Sequence, residues 1–290
     1  MGYSIEVYIF QIIHGLVYGM LLFLVASGLT VVFGMMGVLN LAHAGFYMLG
    51  AYCAYSITLY TGSFWLSLLI CPLIVGTLGV LIERFLLRKI YKGGHLPELL
   101  LTFGLFFILG EVIRKIWGTS PLSVPAPSIF AGDISFLGMT YPVYRLFILG
   151  FSFLVLIGMA LVLTRTRIGI IIRAAVTDPD MVEVLGTNVP MVFMGVLGGG
   201  AALAAIAGVI TTPFLSIYLN MGNDALMDCF VVIVVGGFGS LWGALIASLM
   251  IGQLQSFGVL WIPRLAIIFQ FLLMAVILIT RPTGLFGEKE

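Results

Sequence analysis

The sequence predicts an all-α fold, a polytopic bundle of about 8–10 transmembrane helices, some of them broken, in one domain over residues 1–290. Of the 290 residues, 61% are hydrophobic and 9% are charged, whereas soluble domains carry about 45–50% and about 25%. Long stretches almost without charge recur along the chain, and about 20 apolar residues suffice to span ~30 Å of hydrocarbon. These stretches are apolar on every face, which excludes the alternating strands of a β-barrel.

Hydropathy predicts the position of each helix along the chain. The first apolar run follows "MGYSIEVYIFQ", which lacks a basic region and a small-residue cleavage site, so we expect it to be retained as a span rather than removed as a signal peptide. A Pro- and Ser-rich loop, 118–142, divides the chain, and the run near 226–237 is too short to cross alone. The predicted helices cover 7–33, 42–61, 64–87, 97–117, 143–164, 191–212, 226–237, 241–258 and 263–281.

The basic residues indicate the orientation, because Lys and Arg collect in short cytoplasmic loops. Nine of them fall into three groups that a consistent topology places on one side, and four fall on the other. We therefore predict an external N-terminus, a cytoplasmic C-terminus and an external loop 118–142. The inner groups are Arg84, Arg88, Lys89 and Lys92; Arg165, Arg167 and Arg173; and Arg281 and Lys289.

Two stretches of small and polar residues interrupt the spans, around 34–45 and 236–245. Both follow a Val-rich run and precede a small-residue helix, which suggests an internal repeat. Broken helices in corresponding halves of a transporter point to its binding region, since freed backbone groups must line a cavity or be buried in protein. The polar side chains there either line the path or tie helices together by hydrogen bonds. The candidate path residues are Asn40, His43, Gly45, Gly236, Gly237 and Gly239.

Several chemistries lack a sequence signature. No lysine follows the glycines of 236–239, as a Walker A loop requires, and His43 has no neighbouring acidic cluster that would hold a metal. The thiols Cys53, Cys71 and Cys229 are isolated from one another in sequence and read as buried small hydrophobes. A net charge of +1 carries no indication of nucleic acid binding. An intramembrane enzyme would need a nucleophile and base or a metal set, and the sequence contains neither pattern.

The acidic residues bear on the energy source. Glu111, Asp224 and Asp228 are the acids near spans, and the hydropathy boundaries place all three toward the outer edge. Carriers coupled to ions usually hold a carboxylate in mid-span. A stand-alone secondary transporter or channel for a small polar solute is therefore the alternative, and an energy-supplying partner is the favoured interpretation.

The segment that could receive that energy is 165–190, the longest polar stretch on the predicted inner side. Pro179 suits the first turn of a short helix over 179–185, with Asp178 or Thr177 as its cap and Gly186 at its end. An apolar stripe on that helix needs a docking surface: the membrane, the chain's own helices or, as its flanking acids favour, a protein groove. The stripe is Met181, Val184 and Leu185, with Asp180 and Glu183 facing elsewhere.

The chain resembles the permease subunits of ABC importers for branched-chain amino acids and related hydrophobic or amide solutes. Four stretches in order carry the resemblance: "GLTVVFGMMGVLNLAHAGFYMLGAY" (28–52), "RAAVTDPDMVEVLGTNV" (173–189), "VVIVVGGFGSLWGAL" (231–245) and "RPTGLFG" (281–287). It implies that 173–189 is a cytoplasmic coupling loop that fits a groove on an ATPase subunit. The coupling candidates are then Arg173, Asp178, Pro179, Asp180, Met181, Glu183, Leu185 and Gly186.

The same resemblance implies uptake of branched-chain or other amino acids, or a small amide such as urea, by ATP-driven alternating access across a bacterial inner membrane. The implied partners are a second homologous permease, two ABC ATPase subunits that bind the ATP and Mg, an extracytoplasmic solute-binding protein and membrane lipid. This chain would carry no cofactor and would not itself be an enzyme. It departs from the family pattern at Met181 and Val182, where alanine is usual, and at Gly45, where relatives often have an acid after glycine.

Overall fold

The fold is a helical bundle, seen here in a computed structural model that describes residues 4–136 and 138–287. A π-helical turn, Glu83–Leu87, joins the third and fourth helices into one rod. The helices are α1 (Ile5–Met36), α2 (Ala42–Thr61), α3 (Phe64–Ile82), α4 (Arg88–Ile90), α5 (His95–Trp117), α6 (Val143–Arg165), α7 (Arg167–Thr177), α8 (Pro179–Val184), α9 (Val189–Thr211), α10 (Met221–Gly236), α11 (Leu241–Trp261) and α12 (Ala266–Thr280).

The prediction of an all-α polytopic fold is confirmed. Among the described residues, seven helical segments are long and apolar enough to cross a membrane. The two other predicted spans are also helical: α2 has 20 residues, and α10 has 16 and begins earlier than expected, at Met221. At 1.5 Å per residue α10 is about 24 Å long, so it is shorter than the hydrocarbon core. The chain is a multi-pass membrane protein.

Small residues allow the central helices to approach closely. A Cβ added at Gly19 of α1 would lie 2.8 Å from the Ser248 carbonyl oxygen of α11, and one at Gly50 of α2 would lie 2.5 Å from Ala205 Cα of α9. Lipid supplies no hydrophobic force between helices, so contacts of this kind hold a membrane bundle together. The helices α1, α9 and α11 therefore form the centre of the bundle, with α2 and α3 packed on α9.

The first predicted break returns the chain into the bundle. After α1 ends, residues 37–41 turn back, and the His43 side chain reaches the Val25 carbonyl oxygen in the middle of α1. Gly45 packs on Leu109 and Phe106 of α5, again far from that helix's ends. Helix α2 therefore begins halfway across the bundle.

The second predicted break separates α10 from α11 at residues 237–240 and is closed by the end of the chain. Leu285 N–H donates to the Val235 carbonyl at 2.9 Å, and Phe286 N–H donates to the Gly236 carbonyl at 3.0 Å. These bonds satisfy carbonyls that the end of α10 would otherwise leave free. The "RPTGLFG" stretch is thus a cap on the broken helix.

Two segments contain more structure than we predicted. Within the polar stretch 165–190, residues Arg167–Thr177 form the amphipathic helix α7 ahead of the expected short helix. In the loop 118–142, a hairpin pairs β1 (Asp133–Phe136) with β2 (Met139–Pro142), and Leu122 bridges to Ile217. Hydropathy missed α7 because this helix is short and has one polar face, and it missed the hairpin because each strand has only 4 residues.

Candidate functional site

The short helix expected in the polar stretch is present as α8. The Asp178 carboxylate accepts a hydrogen bond from Met181 N–H at 2.9 Å, so Asp178 is the N-cap, and Pro179 occupies the first turn. Gly186 follows with φ of +86°, a left-handed conformation that favours glycine. The local signals at both ends therefore act as predicted.

The predicted apolar stripe of α8 faces outward. Met181, Val184 and Leu185 are 56%, 82% and 77% exposed. The neighbouring Val182 points the other way and is buried against Ala175 of α7 and Val189 of α9. One apolar side chain thus anchors the helix, while three present an uncovered surface. Asp180 lies within the same helix, and Glu183 is exposed on it.

Arg173 lies on α7 beside the end of α6, where its guanidinium donates to the Leu163 carbonyl oxygen. It also lines a cavity of about 470 Å³ together with Gly34, Gly239 and Phe286. The structure therefore brings one coupling candidate next to one path candidate. The junction joins α7, the end of α1 and the break after α10.

A buried carboxylate at the end of α3 ties this region to the coupling loop. Glu83 is fully buried, and its carboxylate lies 3.4 Å from Arg88 Nη2 and 3.4 Å from the Tyr91 hydroxyl. The same guanidinium nitrogen donates to the Pro190 carbonyl at 3.0 Å, at the start of α9. Burial and the nearby carboxylates of Glu83 and Glu98 raise the pKa of Tyr91, so its hydroxyl remains a donor. The sequence indicates Arg88 only as one of the basic residues on the predicted inner side, not as a partner of Glu83.

The polar pair of the first break makes helix contacts. Asn40 Oδ1 accepts from Ala42 N–H at 3.1 Å, at the start of α2, and His43 Nε2 lies 2.8 Å from the Val25 carbonyl oxygen. Their exposures are 2% and 1%. An added Cβ at Gly28 would lie 2.7 Å from His43 Cε1, so the ring sits in close contact with α1. His43 Nδ1 has no protein hydrogen-bond partner within the described ranges.

The glycines of the second break are in backbone contacts. A Cβ at Gly236 would lie 2.6 Å from the Gly243 carbonyl oxygen, and one at Gly239 would lie 2.7 Å from Gly34 Cα. Gly237 has φ of +97°, where a side chain would be strained. The six path candidates therefore fall in two separate places, the middle of the bundle and the end capped by residues 281–287.

A cavity that the sequence does not predict lies between α1, α10 and α12 and combines an apolar lining with a few polar side chains. Its volume is about 380 Å³. Asp228 of α10 accepts hydrogen bonds there from the Tyr18 hydroxyl of α1 at 3.4 Å and from Gln270 Nε2 of α12 at 3.2 Å. The lining residues are Tyr18, Leu21, Leu22, Val25, Tyr47, Leu215, Ser216, Tyr218, Met221, Asp224, Ala225, Met227, Asp228, Cys229, Gln255, Ile267, Gln270 and Phe271.

The position of Asp228 corrects our expectation that it lies at the outer edge. Hydropathy began the helix at 226, but α10 starts at Met221, and an added Cβ at Gly222 would lie 3.2 Å from Phe106 in the middle of α5. Asp228 is therefore inside the bundle. The signal in the sequence was the pair Asp224 and Asp228, four residues apart and so on one face of a helix.

Tyr218 and Asp224 form the mouth of the cavity. The Tyr218 hydroxyl donates to Asp224 Oδ2 at 2.5 Å. That hydrogen bond, burial and the charges of Asp224 and Asp228 raise the pKa of Tyr218 to about 12, so the hydroxyl stays protonated in the physiological range. The part of the chain that the structure describes holds no group of three or more His, Cys, Asp or Glu that could bind a metal.

Apolar spans, a helix that begins in mid-bundle, a second helix too short to cross and a cavity with polar side chains between spans are typical of a membrane transport protein. Comparison with known families agrees. Residues 11–280 match the family described as branched-chain amino acid transport system, permease component. The chain therefore belongs to this family of permeases.

Curated relatives cover the chain almost end to end. A high-affinity branched-chain amino acid transport permease of Pseudomonas aeruginosa, BraD, is 30% identical over 98% of this chain and 97% of its own length. The LivH permease of Escherichia coli is 28% identical over 97% and 96%. LivM of the same organism is 26% identical over 80% of this chain and 60% of its own. These relatives are named as transport permeases, not enzymes, and no solved structure matched the chain.

Proposed function

We propose that this chain is the transmembrane permease subunit of an ABC importer for branched-chain or other amino acids, or for a related small amide such as urea. The relatives in Pseudomonas aeruginosa and Escherichia coli are named as branched-chain amino acid permeases. The observation that carries the proposal is the uncovered stripe of Met181, Val184 and Leu185 on α8. A permease without an ATP-binding motif of its own needs such a surface to contact the ATPase subunit that drives transport.

In this proposal α8 is the coupling helix. Val182 fastens it to α7 and α9, so a push on its exposed face would move both helices together. The neighbouring Arg88 contact to Pro190 supports the start of α9, where the push would arrive. ATP and Mg would be bound by the ATPase subunits, and this chain would carry no cofactor.

The proposed path runs through the cavity between α1, α10 and α12. Asn40, His43 and Gly45 would fix the wall formed by α2, and the glycines of 236–239 would allow the inner end of α10 to move. Asp224 and Met227 line the cavity and are exposed, and a charged side chain there would be costly if lipid covered it. A second, homologous permease covering that face would remove the cost.

The relatives also support a paired assembly. LivH and LivM are two permeases of one organism, and both resemble this chain. We expect the complete importer to contain this chain, a homologous permease, two ATPase subunits and an extracytoplasmic solute-binding protein, in a bacterial inner membrane. The basic residues favour an external N-terminus and a cytoplasmic C-terminus.

The coupling role is tested with the assembled transporter in proteoliposomes. We expect Leu185→Asp, Glu183→Arg and Gly186→Trp each to reduce ATP-driven uptake at least about tenfold, because a charge or bulk on the docking face opposes seating in a groove. Leu185→Met and Glu183→Gln are the matched controls and should retain most of the uptake. Binding of the ATPase subunits is measured in parallel.

Two results would contradict the proposal. One is uptake that survives all three disruptive variants with the ATPase subunits still bound. The other is solute uptake by this chain alone, without ATP or partners, which would favour a stand-alone carrier or channel.

A further inference from the structure

The cavity between α1, α10 and α12 contains a carboxylate for which the described part of the chain provides no countercharge. Asp228 receives hydrogen bonds from Tyr18 and Gln270, both neutral donors. The three ion pairs found among the described residues involve Glu83, Glu98 and Glu111, and none involves Asp228. An ionisable group within a span is expensive and is kept for a function or paired with a partner. Within residues 4–136 and 138–287, the protein supplies hydrogen bonds to Asp228 but no cation.

The rest of the cavity is amphipathic. Leu21, Leu22 and Val25 of α1 form an apolar wall, whereas Asp224 and Tyr218 bring a second carboxylate and a hydroxyl to the mouth. A volume of about 380 Å³ falls in the ~300–1,000 Å³ range of small-molecule sites, which combine apolar lining with a few polar groups. The site is thus shaped for a small solute with one cationic end and one apolar end.

We propose that Asp228 binds the ammonium group of the transported solute, with Tyr18 and Gln270 orienting its carboxylate and the α1 wall receiving the apolar part. The inference rests on the proposed import function and narrows it: the solute is an amino acid or amine with a free ammonium group, and neutral amides such as urea are excluded. Binding exchanges the water around the ammonium for a charge-assisted hydrogen bond to a fixed acceptor. Binding of this kind forms and breaks no covalent bond in the protein.

The test measures the electrostatics of the cavity directly. In the assembled transporter, with Cys53, Cys71 and Cys229 changed to alanine, Ser216→Cys places a reporter thiol on the lining. We expect a cationic methanethiosulfonate to react at least about tenfold faster than an anionic one, since a negative cleft concentrates cations. Asp228→Asn should reduce that preference severalfold, and Asp228→Glu should restore it.

Protection identifies the ligand class. We expect leucine and isoamylamine to slow labelling of the reporter, and 4-methylpentanamide, which has the same apolar part without an ammonium, to leave it unchanged. Asp228→Asn should abolish protection while ATPase binding to the complex is retained, which separates ligand recognition from folding. Equal protection by the amine and the amide, or a charge preference that survives Asp228→Asn, would overturn the proposal.

The labelling assay does not depend on ATP-driven uptake. If amines protect the reporter thiol but the chain transports without ATP, the proposed import function is contradicted and the ammonium site is supported. If uptake is driven by ATP but amines do not protect the reporter thiol, the ammonium site is contradicted and the import function is supported.

Discussion

Replacing Arg88 by methionine is expected to destabilise the protein by about 3 kcal/mol, because it leaves the Glu83 carboxylate buried without its cation. At 3.4 Å and an effective dielectric constant of ~20, the attraction is about 5 kcal/mol before desolvation. The Arg88 side chain is 38% exposed, so solvent screening and desolvation reduce the net coupling to about 2 kcal/mol. Loss of the hydrogen bond to Pro190 adds about 1 kcal/mol, less than is usual for a charged donor because the Arg88 side chain is partly exposed.

A double-mutant cycle isolates this coupling. The free energies of unfolding of Glu83→Gln, Arg88→Met and the double variant are measured at equilibrium in mixed micelles titrated with SDS. The destabilisation of the double variant should be about 2 kcal/mol smaller than the sum of the two single destabilisations. Lys89→Met, an exposed neighbour, is the control and should change stability by less than about 0.5 kcal/mol. A coupling below about 0.5 kcal/mol would refute the reasoning, since the pair would then be no more than a surface contact.

Two further outcomes check the packing and the topology. Gly28→Ala should lower the free energy of unfolding by about 1–3 kcal/mol, because its Cβ would lie 2.6 Å from the Gly200 carbonyl oxygen. The control Gly104→Ala, whose Cβ meets nothing within 4 Å, should be neutral in the same unfolding assay. Equal effects of the two substitutions would contradict the role given to close helix contacts. In oriented membrane vesicles with the native cysteines removed, Glu183→Cys should react with an impermeant maleimide only from the cytoplasmic side and Ser128→Cys only from the opposite side, and the reverse pattern would invert the proposed orientation.

Much of the local structure was readable from the sequence. Composition and hydropathy predicted the all-α bundle, since burying so much apolar surface requires lipid. The ends of α8 followed from Asp178, Pro179 and Gly186, whose side chains or dihedral angles act within a few residues. Helical spacing placed Met181, Val184 and Leu185 on one side of α8, whereas their exposure is known only from the structure.

The break regions were located correctly, but their roles were not separable from the sequence. Small and polar residues at 34–45 indicate a break, yet whether Asn40 and His43 face a path or a helix depends on what packs against them. In the structure His43 contacts the Val25 carbonyl, and Asn40 accepts a hydrogen bond at the start of α2. Hydropathy also misjudged the start of α10, and with it the depth of Asp228, because Gly222, Asn223 and Asp224 lowered the local average.

The sequence by itself determined the long apolar helices, the broken segments and the short helix α8, because each arises from residues close together in the chain. Only the tertiary structure decided that Tyr18 and Gln270, which lie 210 and 42 residues from Asp228, share one cavity with it. The reason is physical: such a cavity depends on how far each helix is rotated and how closely glycines let it approach its neighbours. A one-dimensional pattern carries neither quantity.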